Sequence, residues 1–94
     1  MKRKRVVRAA SYRADLDAIE AYVAQDNPRA ATELWLLIDE QVDQLADPKF
    51  PHRRGRVPGT RELVAHENYI VILSEDGDTV TALNVVHARQ QWPR

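Results

Sequence analysis

Residues 69–73 read Tyr-Ile-Val-Ile-Leu, and this stretch decides the fold because it is apolar along its whole length. A strand with one face in water alternates apolar and polar residues, whereas a strand enclosed on both faces does not. The β-branched residues in the run favour a strand over a helix. The run from Tyr69 to Ser74 is therefore predicted to be the central strand of a sheet.

Three other segments have strand-forming composition and supply its neighbours. Thr60–His66 precedes the central run and Thr79–His87 follows it, and both are predicted strands. Residues 75–78 connect the last two strands, and within them Asp76-Gly77 is a favoured hairpin turn. Near the N-terminus, Lys2–Ala10 places valines after a run of basic residues, which is typical of an edge strand protected from aggregation by its charges.

Two amphipathic helices lie between the first and second strands. Ser11 is a predicted N-cap for a helix that reaches about Gln25. Asn27 followed by Pro28 indicates a second start, which leads into a helix ending near Asp47. Apolar residues recur at spacings of three and four in both helices, with Trp35 on the apolar stripe and so predicted in the core. Two helices joined so closely predict an antiparallel hairpin.

The order strand, helix, helix, strand, strand, strand predicts an α+β fold, β-α-α-β-β-β. The helical hairpin would pack on one face of a small, mainly antiparallel sheet and leave the opposite face available for binding. The 94 residues are enough for a single domain, which we expect to span residues 1–94.

Composition narrows the functional classes. Cysteine is absent, which fits a cytoplasmic protein and excludes disulfides and thiolate chemistry. No apolar run approaches the roughly 18 residues that span a bilayer. Only three histidines are present and they are scattered, so neither a metal site nor a cofactor is expected. The net charge of zero hides an acidic middle between two basic flanks, an arrangement that can steer different partners to different surfaces.

Five motifs in order resemble the RelE/ParE toxin superfamily over nearly the whole chain. They are Asp15-Leu16 with Ile19 and Tyr22, Asn27-Pro28-Arg29-Ala30-Ala31, residues 55–63 (GRVPGTREL), Asn68-Tyr69-Ile70-Val71, and Val85-Val86-His87-Ala88-Arg89. The resemblance implies a bacterial type II toxin that a cognate antitoxin holds inactive in a hetero-oligomer. It leaves two activities open, because RelE-like members cut messenger RNA on the ribosome whereas ParE-like members are associated with poisoning DNA gyrase.

The residues favour the ParE-like side. Arg61 and Arg89 fall where RelE-like nucleases have basic residues, but Ile70 replaces an expected arginine and no tyrosine follows Tyr69. RNA cleavage also needs a proton acceptor and a proton donor. A nuclease would have to use His87 and Glu62 for proton transfer, with Arg61 and Arg89 on the phosphate. This set looks incomplete, so the preferred prediction is a toxin that is not an enzyme.

Each of these groups also has a purely structural interpretation. His87 is predicted to cap its strand by bonding nearby backbone, which is favoured over catalysis. Glu62 and His66 lie about 13 Å apart along one strand, so both are expected to be separate and solvated. Arg61 and Glu62 could form an ion pair where the strand begins.

Target contact is predicted on the Lys49–Arg56 part of an irregular loop, Pro48–Thr60, together with Arg61 and the tail from His87 to Arg94. The loop arginines are equally compatible with polyanion binding and with simple solvation. Trp92 either closes the core or meets a partner. A non-toxic binding or decoy domain is a third possibility. The predicted target-binding residues are Arg53, Arg54, Arg56, Arg61, His87, Arg89 and Trp92.

Overall fold

The run at residues 69–73 forms the middle of a five-stranded sheet in the computed structural model, which describes residues 2–93. Two helices pack on the sheet, and the order of helices and major strands is the predicted one. The elements are β1 (Arg5–Arg8), α1 (Ala10–Ala24), α2 (Pro28–Gln44), β2 (Arg53–Arg54), β3 (Thr60–His66), β4 (Tyr69–Asp76) and β5 (Thr79–His87).

The strands lie side by side in the order β1-β5-β4-β3-β2. All neighbouring pairs are antiparallel except β1 and β5, which are parallel. The helical hairpin and three further strands lie between β1 and β5 in the sequence. The predicted edge position of β1 and the central position of β4 are confirmed. The prediction of an irregular Pro48–Thr60 loop is wrong in one respect, since Arg53 and Arg54 pair with β3 as the short strand β2.

The central strand β4 has both of its faces covered, as its composition predicts. Val71 and Leu73 belong to the main core beneath the helices, which contribute Tyr12 and Leu16 from α1 and buried residues Ile38 and Val42 from α2. On the other face, a smaller apolar cluster is formed by Ile70, Ile72 and Val86, with Trp92 packed against it. The tail thus supplies cover for part of the outer face.

The two helix starts differ in how well the sequence predicts them. Asn27 caps α2, since its side chain accepts a hydrogen bond from the Ala30 N–H at 3.1 Å. Ser11 was the wrong cap for α1: the helix begins at Ala10 after Ala9, and the Ser11 hydroxyl donates instead to the Leu83 carbonyl at 2.5 Å. Neither helix is long and apolar enough to cross a membrane within the described part of the chain.

The β4–β5 hairpin turns one residue later than predicted. Asp76 pairs with Thr79, so Gly77 and Asp78 form the two-residue turn and β4 extends beyond Ser74. Gly77 has a positive φ of +58°, whereas the φ of Asp78 is not positive. Glycine at the first central position is the arrangement that type II′ hairpins require.

An ion-pair network fastens β1 to α2. The Arg8 Nε donates to the Asp39 carboxylate at 2.9 Å and its Nη2 donates to Asp43 at 2.7 Å. The buried Tyr12 hydroxyl donates to the same Asp39 oxygen at 2.9 Å. Burial, together with Asp39, raises the pKa of Tyr12, so the hydroxyl keeps its proton and remains a donor.

The packing of β4 predicts the outcome of two chemically identical substitutions. Leu73→Ala empties a fully buried position and is expected to lower the free energy of unfolding by about 2–5 kcal/mol. Leu36→Ala, at a position that is 46% exposed on α2, is expected to lower it by less than about 1 kcal/mol. Urea denaturation of both variants provides the comparison, and equal losses would contradict the assignment of β4 to the core.

Candidate functional site

A buried carboxylate organises the arginines around β3. Glu62 is only 1% exposed, and its Oε1 accepts hydrogen bonds from Arg53 Nε at 3.1 Å and Arg53 Nη2 at 3.0 Å. Its Oε2 accepts from the Arg56 backbone N–H at 3.1 Å and lies 3.6 Å from Arg56 Nε. The expectation of a solvated Glu62 is therefore wrong, because two arginines from β2 and the following turn enclose it.

The turn between β2 and β3 makes this enclosure possible. Gly55 donates its N–H to the Thr60 carbonyl at 2.8 Å, and Thr60 N–H donates to Val57 at 3.1 Å. A Cβ on Gly55 would lie 2.1 Å from Thr60 Oγ1 and 2.9 Å from the Thr60 backbone, so a side chain does not fit there. Gly59 has φ +84°, a region that glycine adopts readily. The turn thereby returns Arg56 to Glu62.

Arg61 and its neighbour Glu62 lie on opposite faces of β3. The Arg61 Nε donates to His52 Nδ1 at 2.9 Å and its Nη2 donates to the His52 carbonyl at 3.1 Å. Successive residues of a strand point to opposite faces, and no Arg61–Glu62 ion pair forms among residues 2–93. The hypothesis of a paired strand start is therefore wrong, because alternation separates the two side chains.

His52 and Glu75 continue the network beside Arg61. His52 Nε2 lies 3.2 Å from Glu75 Oε1, and Lys4 Nζ lies 2.6 Å from Glu75 Oε2. Burial lowers the pKa of His52, which favours the neutral ring that Nδ1 needs in order to accept from Arg61. The hydrogen bond from Lys4 lowers the pKa of Glu75, so this carboxylate stays ionised.

These residues border an open cleft of about 790 Å³. Within residues 2–93, four cationic side chains and one carboxylate line it, together with His52, Pro48 and the glycines and proline of the β2–β3 turn. The charged residues are Lys4, Arg54, Arg56, Arg61 and Glu75. The cleft therefore carries a net positive lining, although the chain as a whole is neutral.

A second concave surface lies between α1 and the far ends of β4 and β5. This groove of about 440 Å³ is bordered by Ile19, Tyr22, Tyr69, Val85 and His87, among others. Tyr22 is 72% exposed, which is high for a large aromatic side chain. Sequence reasoning placed Tyr22 only among the family motifs and missed it as a surface residue, although its position off the apolar stripe of α1 was an available signal.

His87 and Asp15 fix the backbone around this groove. His87 Nδ1 accepts from the Arg89 N–H at 3.1 Å, which is the backbone cap that the sequence favoured, and its ring meets Tyr69 edge-on at 5.4 Å between centroids. Asp15, which the sequence analysis named only as part of a family motif, accepts from Asn84 Nδ2 and the Val85 N–H, each at 3.0 Å.

The four residues of the nuclease alternative lie in two separate places. Arg61 pairs with Leu73 across β3 and β4, whereas His87 pairs with Tyr69 across β4 and β5. Four residues along a strand correspond to about 13 Å. Arg61 and Glu62 thus lie towards one end of the sheet, and His87 and Arg89 lie at the other. Within residues 2–93 no cluster of three His, Asp or Glu side chains could hold a metal ion.

Comparison with known proteins gives consistent matches. The family model described as ParE toxin of type II toxin-antitoxin system, parDE, matches residues 6–92. Y4kP of Sinorhizobium fredii, named as a candidate toxin, is 38% identical over all of this chain and 98% of its own length.

Two solved structures share the fold. A chain of the chromosomal ParDE TA system from P. aeruginosa has a TM-score of 0.77 and 26% identity, with 89% of this chain and 95% of that one covered. A chain of the RelBE2 toxin-antitoxin complex from Mycobacterium tuberculosis has a TM-score of 0.62 over 96% of this chain and 97% of that one. At 20% identity this second likeness concerns the fold alone.

Because Glu62 is buried beside two arginines, replacing its carboxylate by the amide of glutamine is predicted to lower the stability of the fold strongly. Glu62→Gln is expected to lower the free energy of unfolding by about 3 kcal/mol, because it leaves two arginine groups without their buried partner. Glu67→Gln, the same change at an exposed position in the β3–β4 turn, should stay within about 0.5 kcal/mol of the wild type. Urea denaturation measures both, and a harmless Glu62→Gln would show that the buried pairs do not stabilise the fold.

Proposed function

The chain belongs to the ParE toxin family of type II toxin-antitoxin systems, and we propose that it inhibits bacterial growth by binding a cytoplasmic target such as DNA gyrase. In this proposal the toxin does not cleave RNA, and a cognate antitoxin neutralises it in a hetero-oligomer.

The separation of the proton-transfer groups is the single observation that carries the proposal. A ribonuclease needs its acid, its base and its phosphate-binding cations around one reacting phosphate. Glu62 is buried against Arg53 and Arg56, and the His87 Nδ1 accepts a backbone hydrogen bond at the other end of β4. This spacing favours a binding protein over a nuclease.

Two surfaces are assigned to target contact. The first is the cationic cleft, where Arg54 and Arg61 are the foremost candidates. The other two arginines of this region, Arg53 and Arg56, form ion pairs with Glu62. The second is the end of β5 and the tail, with His87, Arg89 and Trp92. Of these, Arg89 is exposed, whereas Trp92 packs against the outer apolar cluster and is suited to shaping the tail.

The groove beside α1 is assigned to the antitoxin. It presents Ile19 and Tyr22 as an apolar surface next to the helical hairpin, and Tyr22 is largely exposed in the isolated chain. Large exposed aromatic side chains are frequent anchors at protein interfaces. The likeness to a chain of a ParDE system supports a small, ParD-like antitoxin as the occupant.

Induction of the chain in a bacterial host without antitoxin separates the candidate activities. Gyrase binding predicts filamentation and DNA damage with intact transcripts, and accumulation of cleaved plasmid when purified chain is added to gyrase. The double variant Arg54→Gln/Arg61→Gln should lose toxicity, because it removes cations from the proposed contact surface. Transcript cleavage on ribosomes that His87→Ala or Arg89→Ala abolishes would instead establish a RelE-like nuclease, and absence of any growth defect would favour a decoy.

Antitoxin binding is tested through Tyr22. Tyr22→Ala is expected to weaken binding of the cognate antitoxin by about tenfold or more, since aromatic hot spots at interfaces cost about 2 kcal/mol or more when truncated. Leu36→Ala, an exposed apolar position on α2 that does not border the groove, is the control and should leave binding unchanged. Isothermal titration with the purified pair gives both affinities, and equal effects of the two variants would remove the groove from the proposal.

A further inference from the structure

Two arginines, Arg54 and Arg61, face each other across β2 and β3, and neither forms an ion pair in the described part of the chain. Arg54 and Arg61 are Cα partners in the antiparallel pair, so their side chains leave the sheet on the same face. Like charges directly opposite each other destabilise a sheet. Within residues 2–93 neither guanidinium has a carboxylate oxygen within 4 Å, whereas Arg53 and Arg56 both have Glu62. Two arginines of this region thus share one buried carboxylate, and the other two form no ion pair within residues 2–93.

Arg61 is held in a fixed orientation by neutral acceptors. The ring nitrogen and the carbonyl of His52 accept from Nε and Nη2, and neither of these acceptors cancels the positive charge. Part of the guanidinium remains for a ligand in the cleft, which Arg61 borders. A cation fixed before binding loses little side-chain entropy when an anion arrives.

The rest of the cleft lining reinforces the positive charge. Lys4 and Arg56 border it as well, and the Arg56 side chain is 43% exposed despite its contact with Glu62. Among the described residues that line the cleft, Glu75 is the one carboxylate, and Lys4 and His52 already engage both of its oxygens. An anion entering the cleft therefore meets arginines whose charge no lining carboxylate has paired.

The lack of large apolar side chains in the described lining indicates which class of anion fits the cleft. No Phe, Tyr, Trp, Leu, Ile or Met side chain of the described chain borders the cleft, so it offers no large apolar anchor for a peptide side chain. The His52 ring does border it, but its side chain is only 14% exposed and both ring nitrogens are engaged by Arg61 and Glu75, which leaves little ring surface for a base to stack on. Recognition through charge and guanidinium hydrogen bonds alone is typical of contacts to nucleic-acid phosphates.

We propose that the cleft between the β2–β3 turn and Lys4 is a binding site for the phosphodiester backbone of a nucleic acid, with Arg54 and Arg61 as the primary phosphate ligands. The site reads no base sequence, because only backbone charge is recognised. This inference goes beyond the proposed function, since phosphate binding is a property of the purified chain whether or not gyrase is its target.

Fluorescence anisotropy with a short labelled DNA duplex, and in parallel a labelled single-stranded RNA, tests the site over about 50–200 mM salt. The wild type should bind, and affinity should fall as salt rises. Arg54→Gln and Arg61→Gln should each weaken binding by roughly fivefold at low salt and reduce the slope of log K against log salt by about one. Preference for the duplex or for the RNA identifies which nucleic acid supplies the phosphates, and either outcome supports the site.

Arg13→Gln on α1 is the matched control, since it removes an exposed arginine that does not border the cleft. It should bind as the wild type does. An equal loss in Arg13→Gln would mean diffuse attraction to the whole surface and would overturn the proposal, as would unchanged binding in Arg54→Gln, whose exposed side chain can be replaced without disturbing the core. Displacement of the duplex by a poly-glutamate peptide at equal charge would assign the cleft to carboxylates and would also contradict it.

Discussion

The buried carboxylate of Glu62 is the constraint from which the arrangement of charges at this end of the sheet follows. Burying a carboxylate without partners is strongly unfavourable. Glu62 is accordingly bonded by the Arg53 side chain and the Arg56 backbone N–H, and the Arg56 side chain lies beside it. The alternation of a strand then sends Arg61 to the other face, where it lies opposite Arg54 and, within residues 2–93, forms no ion pair with a carboxylate. One buried acid thereby divides four arginines into two that stabilise the fold and two that remain available.

Most of the fold was predictable because its signals are local. The apolar run at 69–73 predicts a central strand, and the Asn27-Pro28 pair predicts the start of α2 through a cap that the structure contains. The failures arise where partners distant in sequence compete with local preference. Ser11 has the chemistry of a cap, but its hydroxyl bonds Leu83, and α1 starts one residue earlier. A strand of only two residues, Arg53–Arg54, has no local pattern and exists only because β3 pairs with it.

The candidate site was less predictable, since burial and register decide what its residues do. The sequence identified the arginines of the loop and the backbone role of His87, which depends on Arg89 only two residues later. It treated Glu62 as solvated because a charged residue on a strand is usually exposed. It also could not distinguish Arg53 from Arg54, which are adjacent in sequence and differ only in which face of the sheet they occupy. The exposure of Tyr22 became evident only from the folded surface of α1.

The division of the arginines can be observed directly by NMR of the side-chain Nε–H groups during titration with inorganic phosphate. Binding in the cleft predicts that the Arg54 and Arg61 signals shift together along one saturating curve, while the Arg53 signal, which comes from a side chain that bonds Glu62 and does not border the cleft, stays in place. Shifts of the Arg53 and Arg56 signals with no change at Arg54 and Arg61 would contradict the account, because they would show that Glu62 does not hold its partners and that the available charge lies elsewhere.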